Sequence, residues 1–254
     1  MNADEYVISI INKYNIKGNV DVSTKLIAVD PLLNIINEWA GTQLINVSYS
    51  GSRAKGTAIT LSSDIDLFIS LKSDTTNTLK EIYTSLYDNV VFHKITARKQ
   101  NVSIGVKYGG HSIDLVPGKK HLGNTNDHSL YRSKVDAWTK TNINNHINLV
   151  KNSGRLSEII ALKIWSKLHK LDFPSIYLEL TVIEALYNKN KNQPANNFIT
   201  ILEYLSDSFV NKTIVDPSNS NNIISDDLYK FEKEAIAKIA KESRNSRSWG
   251  DIIW

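Results

Sequence analysis

The spacing of apolar residues divides the chain into a first part with both helix and strand patterns and a second part with helix patterns alone. Apolar side chains recur every third or fourth position over residues 3–14, 22–40 and 76–88, which predicts helices. Short apolar or alternating runs predict strands at 45–50, 64–71, 90–96, 102–108 and 111–116. Gly109 and Gly110 separate the last two runs and favour a hairpin there.

From about residue 130 onward, every periodic segment favours a helix. The predicted helices cover residues 131–150, 155–170, 175–188, 196–209 and 226–243. The stretch at 118–129, GKKHLGNTNDHS, is polar and rich in Gly and Asn, so we predict a loop there. The chain is therefore expected to be α+β, with a mixed lobe holding a small sheet (1–125) and an all-helical lobe (126–254).

The composition is typical of a folded globular protein. Hydrophobic residues make up 41% of the 254 positions and charged residues 22%. The chain has no cysteine, which excludes disulfides and thiolate metal sites and favours a reducing compartment. The N-terminus lacks a basic leader, and no apolar stretch is long enough to span a bilayer. We therefore expect a cytoplasmic protein without a membrane partner.

The charge balance is basic, with a formal net charge of +4 and a pI of about 9.0. This balance favours anionic partners such as nucleotides or RNA. The chain is also rich in Asn, Lys and Ile, and such a composition raises the lysine count without any binding role. The charge by itself leaves both interpretations open. Arg98 and Lys99, which lie between two predicted strands, are interpreted as a solvated turn.

Two carboxylates lie two residues apart at the start of a predicted strand. In the segment SSDIDLFI, Asp64 and Asp66 project from the same face, because successive strand residues point to opposite faces. Two close carboxylates repel unless a cation joins them. Mg²⁺ binds one or two carboxylates together with substrate phosphates. The pair therefore indicates a divalent-metal site, although a solvated strand face could carry the same pattern.

A third carboxylate, Asp114, lies on a later predicted strand in HSIDLVPG. Three carboxylates from neighbouring strands can hold two metal ions, which stabilise the attacking and leaving oxygens of an in-line phosphoryl displacement. Asp114 alone would be a weak signal. Its order and spacing after Asp64 and Asp66 make the combination specific.

A turn of small residues precedes the acidic pair. Gly51 and Ser52 follow a predicted strand and begin the segment GSRAKG, which includes Arg53. Small residues let the backbone approach a phosphate, and the first N–H groups of a short helix there would point at it. The Ser52 hydroxyl can donate a further hydrogen bond. The turn therefore indicates a phosphate-binding segment next to the acids.

Together, GSRAKGT, SSDIDLFI and HSIDLVPG resemble the signature of the polymerase-β-type nucleotidyltransferases. The form of the last strand is most similar to archaeal CCA-adding enzymes, 2′-5′-oligoadenylate synthetases and the bacterial cGAS/DncV-like nucleotidyltransferases (CD-NTases). The resemblance implies a catalytic core followed by a helical nucleotide- or substrate-binding lobe, with the active site in the cleft between them. It also implies two Mg²⁺ or Mn²⁺ ions bound by Asp64, Asp66 and Asp114.

The second half of the chain extends the resemblance. RLSEIIALKIWSKL and FPSIYLELTVIEAL resemble two helices of the family, and VDPSNSNNIISDD and SWGDIIW resemble later elements of the synthetases. Ile160 stands where the family helix often has Arg, a contact that Lys119 or Lys120 could supply. Tyr177 could stack on a base. The resemblance and the turn together imply nucleotide binding by Gly51, Ser52, Arg53, Lys163, Ser175 and Tyr177.

The resemblance implies a Mg²⁺-dependent enzyme that transfers NMP from an NTP to a ribose hydroxyl and releases pyrophosphate. The favoured product is a cyclic or linear oligonucleotide second messenger in anti-phage (CBASS-type) signalling, which would act on a downstream effector. Two alternatives stay open. One is template-independent addition to RNA 3′ ends, and the other is a nucleotide-binding module without catalysis. RNA is accordingly a candidate substrate or activator.

Overall fold

The computed structural model describes residues 1–18, 20–62 and 64–254. The chain forms two compact units. The first, here called the sheet unit, comprises residues 18–55 and 63–147. The second, the helical unit, comprises residues 1–17, 56–62 and 148–254.

The sheet unit is built on a mixed sheet of seven strands among the described residues. The strands are β1 (Leu44–Tyr49), β2 (Ile65–Leu71), β3 (Thr96–Lys99), β4 (Ile104–Tyr108), β5 (His111–Lys120), β6 (His128–Arg132) and β7 (Ala137–Thr141). Their order is β1-β2-β5-β4-β3, and β6 pairs with the far end of β5 and with β7. β2 and β5 are parallel, and the other pairs are antiparallel.

One face of this sheet is covered by helices, and the other carries the polar side chains. The helical segments of the unit are α2 (Val22–Thr24), a π-helical turn (Lys25–Val29), α3 (Asp30–Ala40), a 3₁₀ turn (Gly41–Gln43), α4 (Gly51–Lys55) and α5 (Leu79–Phe92). Ile65, Leu67 and Ile69 are buried in the hydrophobic cluster that includes residues of α3 and α5. Because strand side chains alternate, Asp66 and Phe68 project from the opposite face.

The helical unit contains α1 (Ala3–Tyr14), α7 (Leu156–Leu168), α8 (Ser175–Ala185), α9 (Pro194–Asp207), α10 (Lys230–Arg244), α11 (Trp249–Ile252) and a two-stranded ribbon, β8 (Val215–Asp216) and β9 (Asn219–Ile223). α6 (Ile143–Asn152) spans the point where the sheet unit ends. Among the described helices, none combines the length and apolar character that a membrane-spanning segment requires.

The two units do not follow the predicted division at residue 125. Val7, Ile10 and Ile11 of α1 are buried in the core of the helical unit. The segment 56–62 joins the end of α1, where Asn15 and Ile59 form a β-bridge. The β6–β7 hairpin belongs to the sheet unit. The hydrophobic contacts therefore make the helical unit discontinuous in sequence.

Several local predictions are wrong. The predicted turn at Arg98 and Lys99 is the end of β3. The run at 90–96 is not a strand, because residues 90–92 complete α5 and β3 begins at Thr96. Residues 131–150 are not one helix, because β6, a turn and β7 precede α6. The hairpin forms because β6 pairs with the end of β5, which extends into the predicted loop. This pairing is a long-range contact that the local pattern does not encode.

Candidate active site

The structure brings the predicted acids together. Asp66 on β2 lies directly beside Asp114 on the parallel strand β5. Neighbouring strands are about 4.8 Å apart, so the two carboxylates leave the same sheet face as neighbours. Asp64 precedes β2, and its charge acts on Asp114. The sheet face therefore holds Asp66 and Asp114 side by side, and Asp64 lies before the strand instead of on it as predicted. The catalytic roles of all three acids stay a prediction.

The electrostatics of Asp114 favour a cation. Burial raises the pKa of the Asp114 carboxyl, and the charge of Asp64 raises it further. Arg98 and a hydrogen bond from Gln100 act in the opposite direction. A positive charge next to the carboxylates would remove the repulsion, because an opposite charge favours the ionised form.

Gly51 explains how the turn approaches the acids. Its φ is +57°, and a Cβ at this position would overlap the Asp66 carboxylate. The backbone N–H of Ser50 donates to the Asp66 carbonyl over 2.9 Å, which fixes the turn to β2. Only glycine provides both the left-handed backbone and the space. The short helix α4 begins at this glycine, as the phosphate-turn prediction requires.

Arg53 lies on α4, and its guanidinium group is partly withdrawn from solvent. Its Nε atom is buried and has no hydrogen-bond partner within the described part of the chain. A buried donor without a partner costs free energy, and a phosphate oxygen is one acceptor that would satisfy it. Ser52, next to it, is half-buried. These features are consistent with the predicted phosphate-binding role of both residues, which stays a prediction.

The acids and the turn fit a divalent cation by the chemistry of their donors. Carboxylate oxygens on one face beside a glycine turn are the ligands that Mg²⁺ uses with phosphates. Among the described residues, no three acidic or histidine side chains are already arranged as a metal-binding cluster. The fit therefore rests on the Asp66–Asp114 register and on the proximity of Asp64.

Gln100 is a site residue that the sequence reasoning missed. Its Nε2 donates to Asp114 Oδ1 over 3.1 Å, and its Oε1 accepts from the Ser103 hydroxyl over 2.7 Å. The amide orientation is thus fixed, with the N–H side towards the carboxylate. Gly105, opposite Asp114 on β4, leaves the space for this side chain. No local motif signals this role, because Gln100 reaches Asp114 only across β4.

Lys163, in the helical unit, is buried and paired. Its Nζ lies 3.1 Å from Glu179 Oε1 and 3.0 Å from the Thr57 hydroxyl. Lys163 is 7% exposed and Glu179 is 0% exposed. The predicted contact with a triphosphate stays a prediction, and the structure shows a further role for Lys163 in neutralising a buried carboxylate.

Tyr177 and Ser175 of the helical unit differ in exposure. Tyr177 is 0% exposed and packs against Phe173 and Phe209, with ring centroids 5.4 and 5.1 Å away. The predicted stacking of Tyr177 on a base is therefore wrong for this structure, because neither ring face is accessible. Ser175 is exposed at the first turn of α8, where its hydroxyl is accessible.

Lys119 and Lys120 lie at the far end of β5. Lys119 is five residues beyond Asp114, about 16 Å along the strand at the usual rise per residue. Its Nζ donates to the Thr75 carbonyl over 2.5 Å. The structure thus places neither lysine beside the acids.

Comparisons with solved structures agree on the fold, whereas comparisons with family models and curated sequences find no match. CdnC of E. coli MS115-1, solved as a complex with HORMA-deltaN, is 20% identical over 94% of this chain and 89% of its own, with a TM-score of 0.73. The CD-NTase CdnG of Bradyrhizobium diazoefficiens, in complex with GTP, is 10% identical over 96% of this chain and 91% of its own, with a TM-score of 0.75.

A third similar structure is a variant of the Cid1 poly(U) polymerase bound to MgATP. It is 12% identical over 96% of this chain and 95% of its own, with a TM-score of 0.65. All three likenesses extend over both units of this chain. The chain therefore has the polymerase-β-type nucleotidyltransferase fold, in the form found in the bacterial CD-NTases.

Proposed function

We propose that the protein is a nucleotidyltransferase that transfers NMP from an NTP to a ribose hydroxyl and releases pyrophosphate. The proposal rests on the register of Asp66 with Asp114 and on the adjacent turn, in which only glycine fits at position 51. Divalent cations held by these acids would neutralise the charge that develops on the phosphates.

The residues of the sheet unit have separate roles in this proposed reaction. The Asp114 carboxylate accepts the proton of the acceptor hydroxyl, whose oxygen forms a bond to the α-phosphorus. The bond from the α-phosphorus to the bridging oxygen of the β-phosphate breaks, and pyrophosphate leaves with that oxygen. Gly51, Ser52 and Arg53 hold the phosphates of the donor, and the resemblance adds Lys163 and Ser175 to this set.

The proposed product is a cyclic or linear oligonucleotide second messenger in anti-phage signalling. Support comes from the likeness to CdnC and to the CD-NTase CdnG over nearly the whole chain. The bound GTP and MgATP of two similar structures support NTPs and Mg²⁺ as ligands here. The complex of CdnC with a HORMA protein makes a protein partner a further candidate.

Template-independent addition of nucleotides to RNA 3′ ends is the second candidate. This candidate is favoured by the structural likeness to a poly(U) polymerase, which extends over 95% of the polymerase chain. The two candidates share the donor chemistry and differ in the acceptor.

The test uses each α-radiolabelled NTP alone and all four together, with Mg²⁺ or Mn²⁺ and with or without tRNA. Products are separated by chromatography after phosphatase treatment. A phosphatase-resistant small product is the expected result, and label found only in tRNA would establish the second candidate. Absence of transfer in all reactions would contradict both.

The acids are tested in the same assay. Asp66→Asn and Asp114→Asn should each reduce turnover at least about a hundredfold, because each removes a charge that stabilises the transition state. Asp88→Asn, an exposed acid on α5, is the matched control and should retain turnover. Activity in Asp66→Asn equal to that of the control would contradict the mechanism.

A further inference from the structure

The two oxygens of the Asp114 carboxylate have different surroundings. Oδ1 accepts a hydrogen bond from Nε2 of Gln100 over 3.1 Å. Oδ2 has neither a hydrogen-bond nor an ion-pair partner within the described part of the chain. The protein therefore holds one oxygen of this half-buried carboxylate and leaves the other available.

The amide of Gln100 has one orientation in which both of its ends are satisfied. The hydroxyl of Ser103, which is buried, donates to Gln100 Oε1 over 2.7 Å, so the N–H side of the amide faces Asp114. A reversed amide would place Oε1 against the carboxylate, where two acceptors oppose each other. The bond from Ser103 therefore selects the amide orientation that donates to Asp114.

The turn between β3 and β4, which carries Gln100, is held by two other elements. Tyr83 of α5 is buried, and its hydroxyl lies 2.7 Å from the Gln100 carbonyl and 3.1 Å from that of Ser103. Ser133, in the turn between β6 and β7, donates through its hydroxyl to the Gln100 carbonyl over 2.5 Å and through its N–H to the Asn101 carbonyl over 2.7 Å. These bonds fix the backbone from which the Gln100 side chain extends.

Gly105 makes room for the Gln100 amide beside Asp114. A Cβ at position 105 would lie 2.5 Å from Gln100 Nε2 and 3.2 Å from Asp114 Oδ1. Arg98 Nε would lie 3.0 Å from the same point, yet Arg98 forms no ion pair among the residues that the structure describes. A guanidinium at Oδ1 would neutralise the carboxylate, whereas a neutral amide holds it and leaves its charge intact.

The bond from Gln100 determines how the Asp114 carboxylate is rotated. Without such a bond the carboxylate has little rotational preference, because the terminal torsion of an aspartate is broad. We propose that Gln100 is a positioning residue for the proposed nucleotidyl transfer. Its amide holds Oδ1 and so directs Oδ2 of Asp114 towards the acceptor hydroxyl, whose proton Oδ2 accepts as the oxygen bonds to the α-phosphorus. The proposal rests on the proposed function and adds a residue that acts through Asp114.

The first part of the test detects the hydrogen bond and is independent of catalysis. The side-chain amide resonances of Gln100 are assigned in ¹⁵N-labelled protein with EDTA by their absence from the Gln100→Met spectrum. In Asp114→Ala the acceptor is lost, so one amide proton of Gln100 should move upfield and exchange faster with water. Asp88→Ala, at an exposed position of α5, is the control and should leave both resonances unchanged. Resonances that Asp114→Ala does not move would contradict the contact.

The second part measures kinetics. Gln100→Met keeps the approximate volume of the side chain and removes the donor. Its kcat should fall about tenfold to a hundredfold, because a residue that orients a catalytic group commonly contributes this much. KM for the NTP should stay within about twofold, since Gln100 acts through Asp114 and not on the donor phosphates. Asn101→Ala, in the same turn, is the matched control and should retain the wild-type kcat.

Ser103→Ala leaves Gln100 in place and removes the bond that orients its amide. Its kcat should fall about threefold or more, which separates a positioning role from a loss of packing at position 100. A kcat within about twofold of wild type in both Gln100→Met and Ser103→Ala would overturn the positioning role. Absence of transfer in the wild-type protein would overturn the proposed function, while the amide resonances would still decide whether Gln100 holds Asp114.

Discussion

At the scale of single residues, the site depends on glycines that make room for charged side chains. Gly51 admits the Asp66 carboxylate, and Gly105 admits Gln100 and Arg98 beside Asp114. The motif predicts Gly51, because a phosphate turn requires small residues. It does not predict Gly105, whose function depends on side chains of the neighbouring strands.

Substitution of Gly51 tests this close approach. Gly51→Ala should lose about 1–2 kcal/mol of unfolding free energy from its left-handed backbone and should also displace Asp66. A small misplacement of a catalytic group can reduce kcat about a hundredfold. Gly41→Ala is the control, because Gly41 has φ +51° with nothing within 4 Å of its Cβ position. Urea denaturation and turnover are measured for both, and equal turnover would contradict the account.

At the scale of elements, a hydrogen bond joins β2 to β6 on the acidic face. His128 Nδ1 lies 2.9 Å from the Asn126 carbonyl, which can only accept, so Nδ1 carries the proton. His128 Nε2 therefore accepts from the Ser70 hydroxyl over 2.8 Å. Burial lowers the pKa of His128, and the charges of Lys120 and His121 lower it further. The neutral ring is thus the form that holds the two strands together.

This histidine predicts a loss of stability in weak acid. In the unfolded chain, His128 binds a proton near pH 6.5, whereas in the folded protein its pKa is lower. The contribution of His128 to the free energy of unfolding is therefore complete above pH 6.5 and declines as the pH falls below that value. Each pKa unit of difference contributes about 1.4 kcal/mol. His128→Gln should flatten the change in unfolding free energy between pH 7.5 and 5.5, measured with urea. His93→Gln, at an exposed position, should keep the wild-type slope.

At the scale of the whole molecule, the chain enters the helical unit three times, through residues 1–17, 56–62 and 148–254. The middle segment supplies Thr57, whose hydroxyl lies near both Lys163 and Glu179. Hydrogen bonds between Thr57 and this buried ion pair thus link two segments of the unit across 106 and 122 residues of sequence.

Removing one partner of this pair should destabilise the helical unit. Lys163→Met leaves Glu179 charged and buried, which typically costs about 3–5 kcal/mol. Lys163→Met with Glu179→Leu should recover most of that loss. Lys167→Met, at an exposed position of the same helix, is the control in urea denaturation. If the double variant is stable but its KM for NTP rises, Lys163 also binds the triphosphate as the resemblance implies. Equal stability of Lys163→Met and the control would contradict the structural role.

The sequence by itself determined the elements whose signals are local. Two-residue alternation predicted the strand that carries Asp66, although Asp64 immediately precedes that strand instead of lying on it. The glycine–serine turn and Asp114 stand in the order of the family signature. Helical spacing predicted α1, α7, α8, α9 and α10 close to their observed bounds. Each of these features depends on residues a few positions apart, so the local sequence pattern is sufficient to predict it.

Only the tertiary structure decided what depends on distant partners. The β6–β7 hairpin exists because β5 offers an edge, and Tyr177 is buried because Phe173 and Phe209 enclose it. Arg98 lies on a strand because β3 pairs with β4, although the sequence alone favoured a solvated turn at this residue. Long-range pairing and burial are set by the packing of the whole chain, and no local spacing encodes them.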